Sequence, residues 1–230
     1  MTPPLEAFGR TLVIAPHPDD EVLGAGGTIA RLTQLGVEVY VAIVTTGHPP
    51  DFTREQVERV RAEAALAHRL LGVRETLWLG QPAARLSDMP HSELNTALAT
   101  TVRELRPSTL VIPFVGDIHA DHQATFLSAL VASRPHGFEF PATILAYETL
   151  SETNWNAPYL TPGFLPNVYV DIASTLPAKL DAFRAFGSQV RAFPHERSIE
   201  ALRALAMLRG ATVHLPAAEA FVLVRHVIRW

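Results

Sequence analysis

Short apolar runs alternate along the chain with stretches in which apolar residues recur every three or four positions. The runs Thr11–Ala15, Glu38–Thr45, Thr76–Leu79, Thr109–Phe114 and Ala142–Tyr147 have the length and β-branched content of buried strands. Between them, Val22–Leu35, Asp51–Leu71, Ser92–Leu105 and Asp121–Ala132 show helical spacing. In the second of these, Val57, Val60, Ala64, Ala67 and Leu71 share one face. Gly36 and Gly72 stand where the first two helices should stop, and Pro107 closes the third. This alternation predicts an α/β fold: a Rossmann-like, doubly wound, mostly parallel sheet with helices on both faces. The segment Glu148–Pro166, rich in Pro, Asn, Gly and aromatic residues, reads as an irregular loop over the sheet edge, a lid or a subunit contact. A strand at Asn167–Asp171, helices at Ala173–Phe186 and Ile199–Arg209, and a strand at Ala220–Arg225 complete the pattern. No repeat, low-complexity tract or long linker interrupts it, so residues 1–230 read as one domain.

Composition removes several function classes. The chain is 48% hydrophobic and 18% charged, as a compact folded protein should be, and its net charge of -4 offers no basic excess to nucleic acid. No apolar run approaches a membrane span. Met1–Arg10 lacks the basic-then-apolar order of a secretory leader. A cytoplasmic protein with neither a nucleic-acid nor a membrane partner is expected. Cysteine is absent, which removes disulfides, thiolate nucleophiles and thiolate zinc sites. Lysine occurs only as Lys179, in an ordinary amphipathic stretch, and no Gly-Lys-Ser/Thr exists to make a P-loop. Any metal must therefore be held by His, Asp or Glu.

Those residue types cluster at two strand exits. Pro16-His17-Pro18-Asp19-Asp20-Glu21 follows the first apolar run, and His119-Ala120-Asp121-His122 follows Thr109–Phe114 shortly after. In a sheet of order 3-2-1-4, strands 1 and 4 are neighbours whose connections leave in opposite directions, opening a crevice at their C-terminal ends. The two clusters would face each other there. Two imidazoles and a carboxylate with an open position suit a catalytic zinc, and Fe2+ or Mn2+ would also accept N/O donors. Asp19 and Asp20 can divide the roles of metal ligand and general base either way. A turn with a helix cap explains the first cluster taken alone, but not both clusters in the expected places. Gly24-Ala25-Gly26-Gly27 lies too far past the strand for a nucleotide loop and reads as close helix packing. His48 leaves strand 2 at the same sheet edge, and the loop carrying His195 could reach the pocket, so both are candidate substrate contacts. His68, His91, His136, His214 and His226 read as surface or packing residues.

At these motifs the chain resembles the LmbE-like, or PIG-L, family of zinc-dependent N-deacetylases. Gly26-Gly27-Thr28, Arg61-Ala62-Glu63 and Leu71-Gly72-Val73 add to the likeness, which covers most of the chain. The resemblance implies that His17, Asp20 and His122 bind the metal and that Asp19 is the general base. It implies that His119 stabilises the oxyanion or protonates the leaving amine, with Asp121 orienting and charging it. Arg61 and Glu63 match positions that touch the sugar in relatives. A trimer or hexamer is also implied. One departure stands out: relatives carry Asp-Gly after strand 3, where this chain reads Gln81-Pro82-Ala83-Ala84-Arg85-Leu86-Ser87-Asp88. The acidic sugar contact is missing or displaced to Asp88.

The expected function is metal-dependent removal of an acetyl group from an N-acetylated amino sugar or its conjugate, a small-molecule partner. Two other readings stand beside it: a metal hydrolase of another amide or ester, and a non-catalytic sugar- or nucleotide-binding module. The spare carboxylate of Asp19 beside Asp20 argues against the module, since a structural site needs none.

Overall fold

A computed structural model describes residues 8–136 and 139–228. Seven strands form one sheet: β1 (Thr11–Ala15), β2 (Val39–Thr46), β3 (Glu75–Pro82), β4 (Thr109–Pro113), β5 (Thr143–Tyr147), β6 (Val168–Asp171) and β7 (Ala218–His226). Their order is β3-β2-β1-β4-β5-β7-β6. The first five in that order are parallel, and β7 runs antiparallel to both β5 and β6. The helices are α1 (Asp20–Gln34), α2 (Arg54–Leu71), α3 (His91–Leu105), α4 (Ala120–Ala132), α5 (Leu176–Ala185) and α6 (Ile199–Thr212). The expected α/β sheet is therefore present. Met1–Ala7, where most of the N-terminal leader test falls, lie outside the described residues. Among the described residues no helix is long and apolar enough to cross a membrane.

Strand alternation sorts the core into two layers. Val13 and Ala15 of β1 join α1, α2, α5 and α6 on one face, while Leu12 and Ile14 join α3 and α4 on the other. Gly24 and Gly27 let α1 lie close to the layer: a Cβ on Gly24 would sit 2.1 Å from the Tyr147 ring, and one on Gly27 would sit 2.8 Å from Ile172. Tyr147 itself donates its hydroxyl to the Ile14 carbonyl at 3.0 Å, tying β5 to the end of β1.

Most element boundaries differ from the sequence expectation by one to three residues, and three elements show a local reason. The second helix begins at Arg54 rather than Asp51 because Thr53 and Gln56 form a capping box, with N–H to side-chain bonds of 3.2 and 2.8 Å. The third strand continues to Pro82, since β2 keeps pairing with it past a bulge at Ile43/Thr45. The last strand is longer at both ends because it pairs with β5 and β6. In Glu148–Pro166 the first half is fastened, Thr149 N–H donating to Thr153 Oγ1 at 2.8 Å, whereas Tyr159, Leu160 and Leu165 are exposed.

Candidate metal centre and active site

The C-terminal ends of β1 and β4 lie side by side, and both clusters open into one crevice. Asp20 is fully buried in the first turn of α1, and its Oδ2 lies 3.3 Å from His17 Nδ1 and 3.2 Å from His122 Nε2. Ligand atoms about 2.0–2.1 Å from one tetrahedral ion sit roughly 3.3 Å from each other, so this spacing fits a shared cation. Two buried atoms of the set, Asp20 Oδ1 and His122 Nε2, have no hydrogen-bond partner among the described residues. The His122 ring nitrogen is near the carboxylate but not aligned for a hydrogen bond. Buried polar atoms without partners are costly, and a cation would satisfy both. His122 Nδ1 meets Asp117 Oδ2 at 2.8 Å, and Asp117 Oδ1 accepts from Thr153 Oγ1 at 2.6 Å. That chain fixes the ring with Nε2 facing the crevice.

A second set, His17, His119 and Asp121, shares the His17 ring. It fits a metal less well because its acceptors are already engaged. Asp121 Oδ2 sits 3.0 Å from His17 Nε2 and accepts from Ala84 N–H at 2.7 Å, and Oδ1 accepts from Leu86 N–H at 3.0 Å. His119 Nδ1 accepts the Asp121 N–H at 3.1 Å as the cap of α4.

This arrangement corrects the reading of Asp121. Its carboxylate orients His17 and the loop after β3, not His119. His119 is held by a backbone donor, which leaves its neutral form protonated at Nε2. Burial, with the neighbouring His17, holds its pKa below the usual histidine value, so it is not kept cationic.

Asp19 precedes α1 at φ 116° and ψ −26°, a left-handed conformation that is strained for a residue with a side chain. Its N–H donates to the buried Glu21 Oε2 at 3.2 Å, and Glu21 Oε1 lies 3.0 Å from His68 Nε2. The carboxylate does not cap the helix. Instead Oδ2 accepts from Arg197 Nη1 at 3.1 Å, and Oδ1 has no hydrogen-bond partner among the described residues. Burial pushes the Asp19 carboxyl up, against the pull of Arg197, to about 8.

Burial alone would lower His17 and His122, but their carboxylate neighbours outweigh it and raise them to about 9 and about 10. Raised histidines stabilise the folded chain fully below their ordinary value, and that stability is lost as pH climbs through the folded values. Chelator-stripped protein is therefore expected to lose Tm between about pH 7 and pH 10. A divalent cation replaces those protons, so its affinity should rise over the same window. Thermal unfolding of stripped and metal-loaded protein across this range checks it. Parallel Tm curves for the two forms would count against the ligand set.

The crevice widens into a cleft of about 650 Å³ lined by His17, Asp19, His119, Arg61, Trp78, Arg197 and others. Arg61 lines the cleft, whereas three other expected substrate contacts do not. Glu63 spends its oxygens on Arg59 and on Ser188. His48 is exposed, while Phe52, which would lie 2.6 Å from a Cβ on Gly47, lines the cleft. His195 is exposed, with Nδ1 accepting from Arg197 N–H at 3.0 Å. Asp88 is exposed at the end of a 3-10 helix (Leu86–Asp88), and Ala83 and Ala84 line the cleft where the loop acid was expected. His68 is a buried packing residue between Glu21 and Thr76. Arg197, Glu152 and Asp117 went unnoticed in the sequence. Asp117, five residues before His122, had a readable signal as a carboxylate supporting a histidine ligand.

The PIG-L family model, described as GlcNAc-PI de-N-acetylase, matches residues 12–133. A probable N-acetyl-alpha-D-glucosaminyl L-malate deacetylase 2 of Bacillus anthracis is 28% identical over 191 residues, covering 78% of this chain and 81% of that protein. A solved structure of a conserved protein from Thermus thermophilus superposes with TM-score 0.77 at 29% identity, covering 96% of each chain. The N,N'-diacetylchitobiose deacetylase of Pyrococcus horikoshii, complexed with an inhibitor, gives TM-score 0.77 at 27% identity, covering 97% of this chain and 86% of its own. The matched span is more than half of the chain and contains both histidine–aspartate clusters, so the chain belongs to the PIG-L family.

Proposed function

We propose that this protein is a metal-dependent deacetylase that hydrolyses the acetamide of an N-acetylated amino sugar or its conjugate. The observation that carries it is the convergence of His17, Asp20 and His122, two of whose buried atoms lack partners among the described residues, beside a carboxylate oxygen of Asp19 that no described residue shares. The named relatives act on N-acetylated sugars, which supports the substrate class. Zinc is the metal we assign to the set, and Fe2+ and Mn2+ suit the same donors.

When bound, the cation would polarise the acetamide carbonyl and acidify a water. The protein does the rest. Asp19 Oδ1 takes the proton of the attacking water while Arg197 holds Oδ2. His119 Nε2–H faces the developing negative charge on the acetamide oxygen, since its Nδ1 is engaged in capping α4. The proton held on Asp19 then returns to the departing amine. Asp117 and Asp121 position the rings of His122 and His17, and Glu21 holds the backbone of Asp19.

Acetate release from N-acetylglucosamine, diacetylchitobiose and simple N-acetylglucosaminides, by stripped protein reloaded with each metal, tests the reading. Release that needs the metal is expected. Tight metal binding with no acetate from any substrate would overturn it.

A further inference from the structure

Two carboxylates line the cleft, Asp19 and Glu152. Asp19 takes the proton of the attacking water, whereas Glu152 has no part in that step. Glu152 precedes the short 3-10 helix Thr153–Trp155, and its side chain is largely buried. Its Oε1 lies 3.5 Å from Ser151 Oγ and 3.9 Å from Arg197 Nη2, both long for a hydrogen bond. Its Oε2 has no partner among the described residues.

The neutral polar side chains of the cleft that could receive a hydroxyl proton are engaged within the protein. Thr45 Oγ1 donates to the Pro16 carbonyl at 2.8 Å, and Thr46 Oγ1 accepts from Arg61 at 3.2 Å. Gln56 Oε1 accepts from Thr53 N–H at 2.8 Å, and Gln189 Oε1 accepts from Arg197 Nη1 at 3.0 Å. Ser188 Oγ donates to Glu63 and accepts from Gln189 Nε2 at 3.1 Å. Apart from the base itself, Glu152 Oε2 is therefore the carboxylate oxygen in this cleft that stays open to a ligand. A half-buried carboxylate oxygen without a partner is unfavourable, and a ligand hydroxyl would satisfy it.

Its position is fixed from two sides. Arg197 Nη1 holds Asp19 Oδ2 at 3.1 Å while Nη2 reaches toward Glu152, so the two carboxylates flank one planar guanidinium. Thr153 Oγ1, one residue on, donates to Asp117 Oδ1 at 2.6 Å, and Asp117 in turn holds His122. The Glu152 backbone donates to the Thr149 carbonyl at 3.1 Å and accepts from Ile118 N–H at 3.3 Å. An acceptor held this close to the base meets the ring substituent beside the acetamide under attack.

We infer that Glu152 determines specificity by accepting a hydrogen bond from the ring hydroxyl next to the acetamido carbon, the 3-hydroxyl of a glucosamine-type sugar. This rests on the deacetylase reading for the position of the acetamide.

The test uses metal-loaded protein and three probes: the methyl glycoside of N-acetylglucosamine and its 3-deoxy and 6-deoxy analogues. For the wild type, kcat/KM for the parent is expected to exceed that for the 3-deoxy probe by about tenfold to a hundredfold, as for a hydrogen bond to a charged group. Glu152→Ala should bring that ratio to about one. Glu152→Gln, nearly isosteric and still a neutral acceptor, should leave under about fivefold, and it serves if the alanine variant does not fold. The parent-to-6-deoxy ratio should be the same in all three proteins. A wild-type 3-deoxy ratio near one would overturn the inference. So would a ratio unchanged by both substitutions, which would mean that the carboxylate acts only through Arg197, and so would an equal shift in the 6-deoxy ratio. If no probe releases acetate, the deacetylase reading fails by itself, and calorimetric binding of the same probes still decides the inference. Tighter binding of the parent than of the 3-deoxy probe, lost in Glu152→Ala, upholds it, and equal binding sinks it.

Discussion

Asp19→Asn is expected to lower kcat for acetate release by about a thousandfold, with little change in KM and with metal content intact. A positioned general base contributes roughly a hundred- to ten-thousandfold. A group that acts only in the transition state shows its loss in kcat rather than KM. Burial has already tuned this carboxyl. An ordinary Asp near 3.9 lies about three pKa units below a water acidified to about 7, roughly 4 kcal/mol uphill for proton transfer. Burial acts to raise the Asp19 carboxyl above that ordinary value, which narrows the gap. Asn keeps the shape and the hydrogen bond to Arg197 but cannot take a proton. Because Asp20, not Asp19, lies against both imidazoles, the cation should stay. Acetate assays paired with metal analysis read both quantities. Near-normal turnover with full metal would remove Asp19 from the role.

What could be read from the sequence followed from local rules joined to one rule of topology. His17 and Asp20 follow the end of β1 directly, His119 and His122 open the helix that follows β4, and the switch point between β1 and β4 brings these strand ends together. The partners of these groups depend on distant chain. Arg197 lies 178 residues beyond the Asp19 it contacts, in a loop with no local signature. The role of Asp121 turned on the length of β3. The apolar run reads as a strand only to Leu79, yet pairing with β2 carries it to Pro82, and the loop beyond sets the Ala84 and Leu86 amides on the Asp121 carboxylate. His48 and His195 show the converse error. Being near a strand end or a cleft loop in sequence does not choose the direction of a side chain, and here Phe52 and Arg197 turn inward instead.

Lys179→Met is expected to destabilise the protein by about 3–5 kcal/mol, the usual cost of removing one partner of a buried ion pair. Lys179 and Glu219 are 3% and 4% exposed, and their Nζ–Oε1 distance is 2.6 Å. The pair is set against the backbone of α1: Lys179 Nζ donates to the Leu23 carbonyl at 2.8 Å, and Glu219 accepts from the Gly27 and Thr28 amides at 2.8 and 2.7 Å. Methionine would leave the Glu219 charge buried without its cation, in a domain whose total stability is about 5–15 kcal/mol. A Tm drop of roughly 10 °C should result. Lys179→Met combined with Glu219→Gln removes both charges and is expected to lose less than Lys179→Met alone. Since this is the chain's only lysine, acylation of its ε-amine also reports opening of the fold, and it should be slow in the native wild type. A Lys179→Met protein within about 1 kcal/mol of wild type in urea would show that the amide bonds to Glu219 suffice without the lysine. The clamp grips α1 shortly past Asp20. A helix pinned there keeps a buried carboxylate and its strained neighbour Asp19 at fixed distances from His122. A buried ion pair thus stands behind the residues that most need fixed positions.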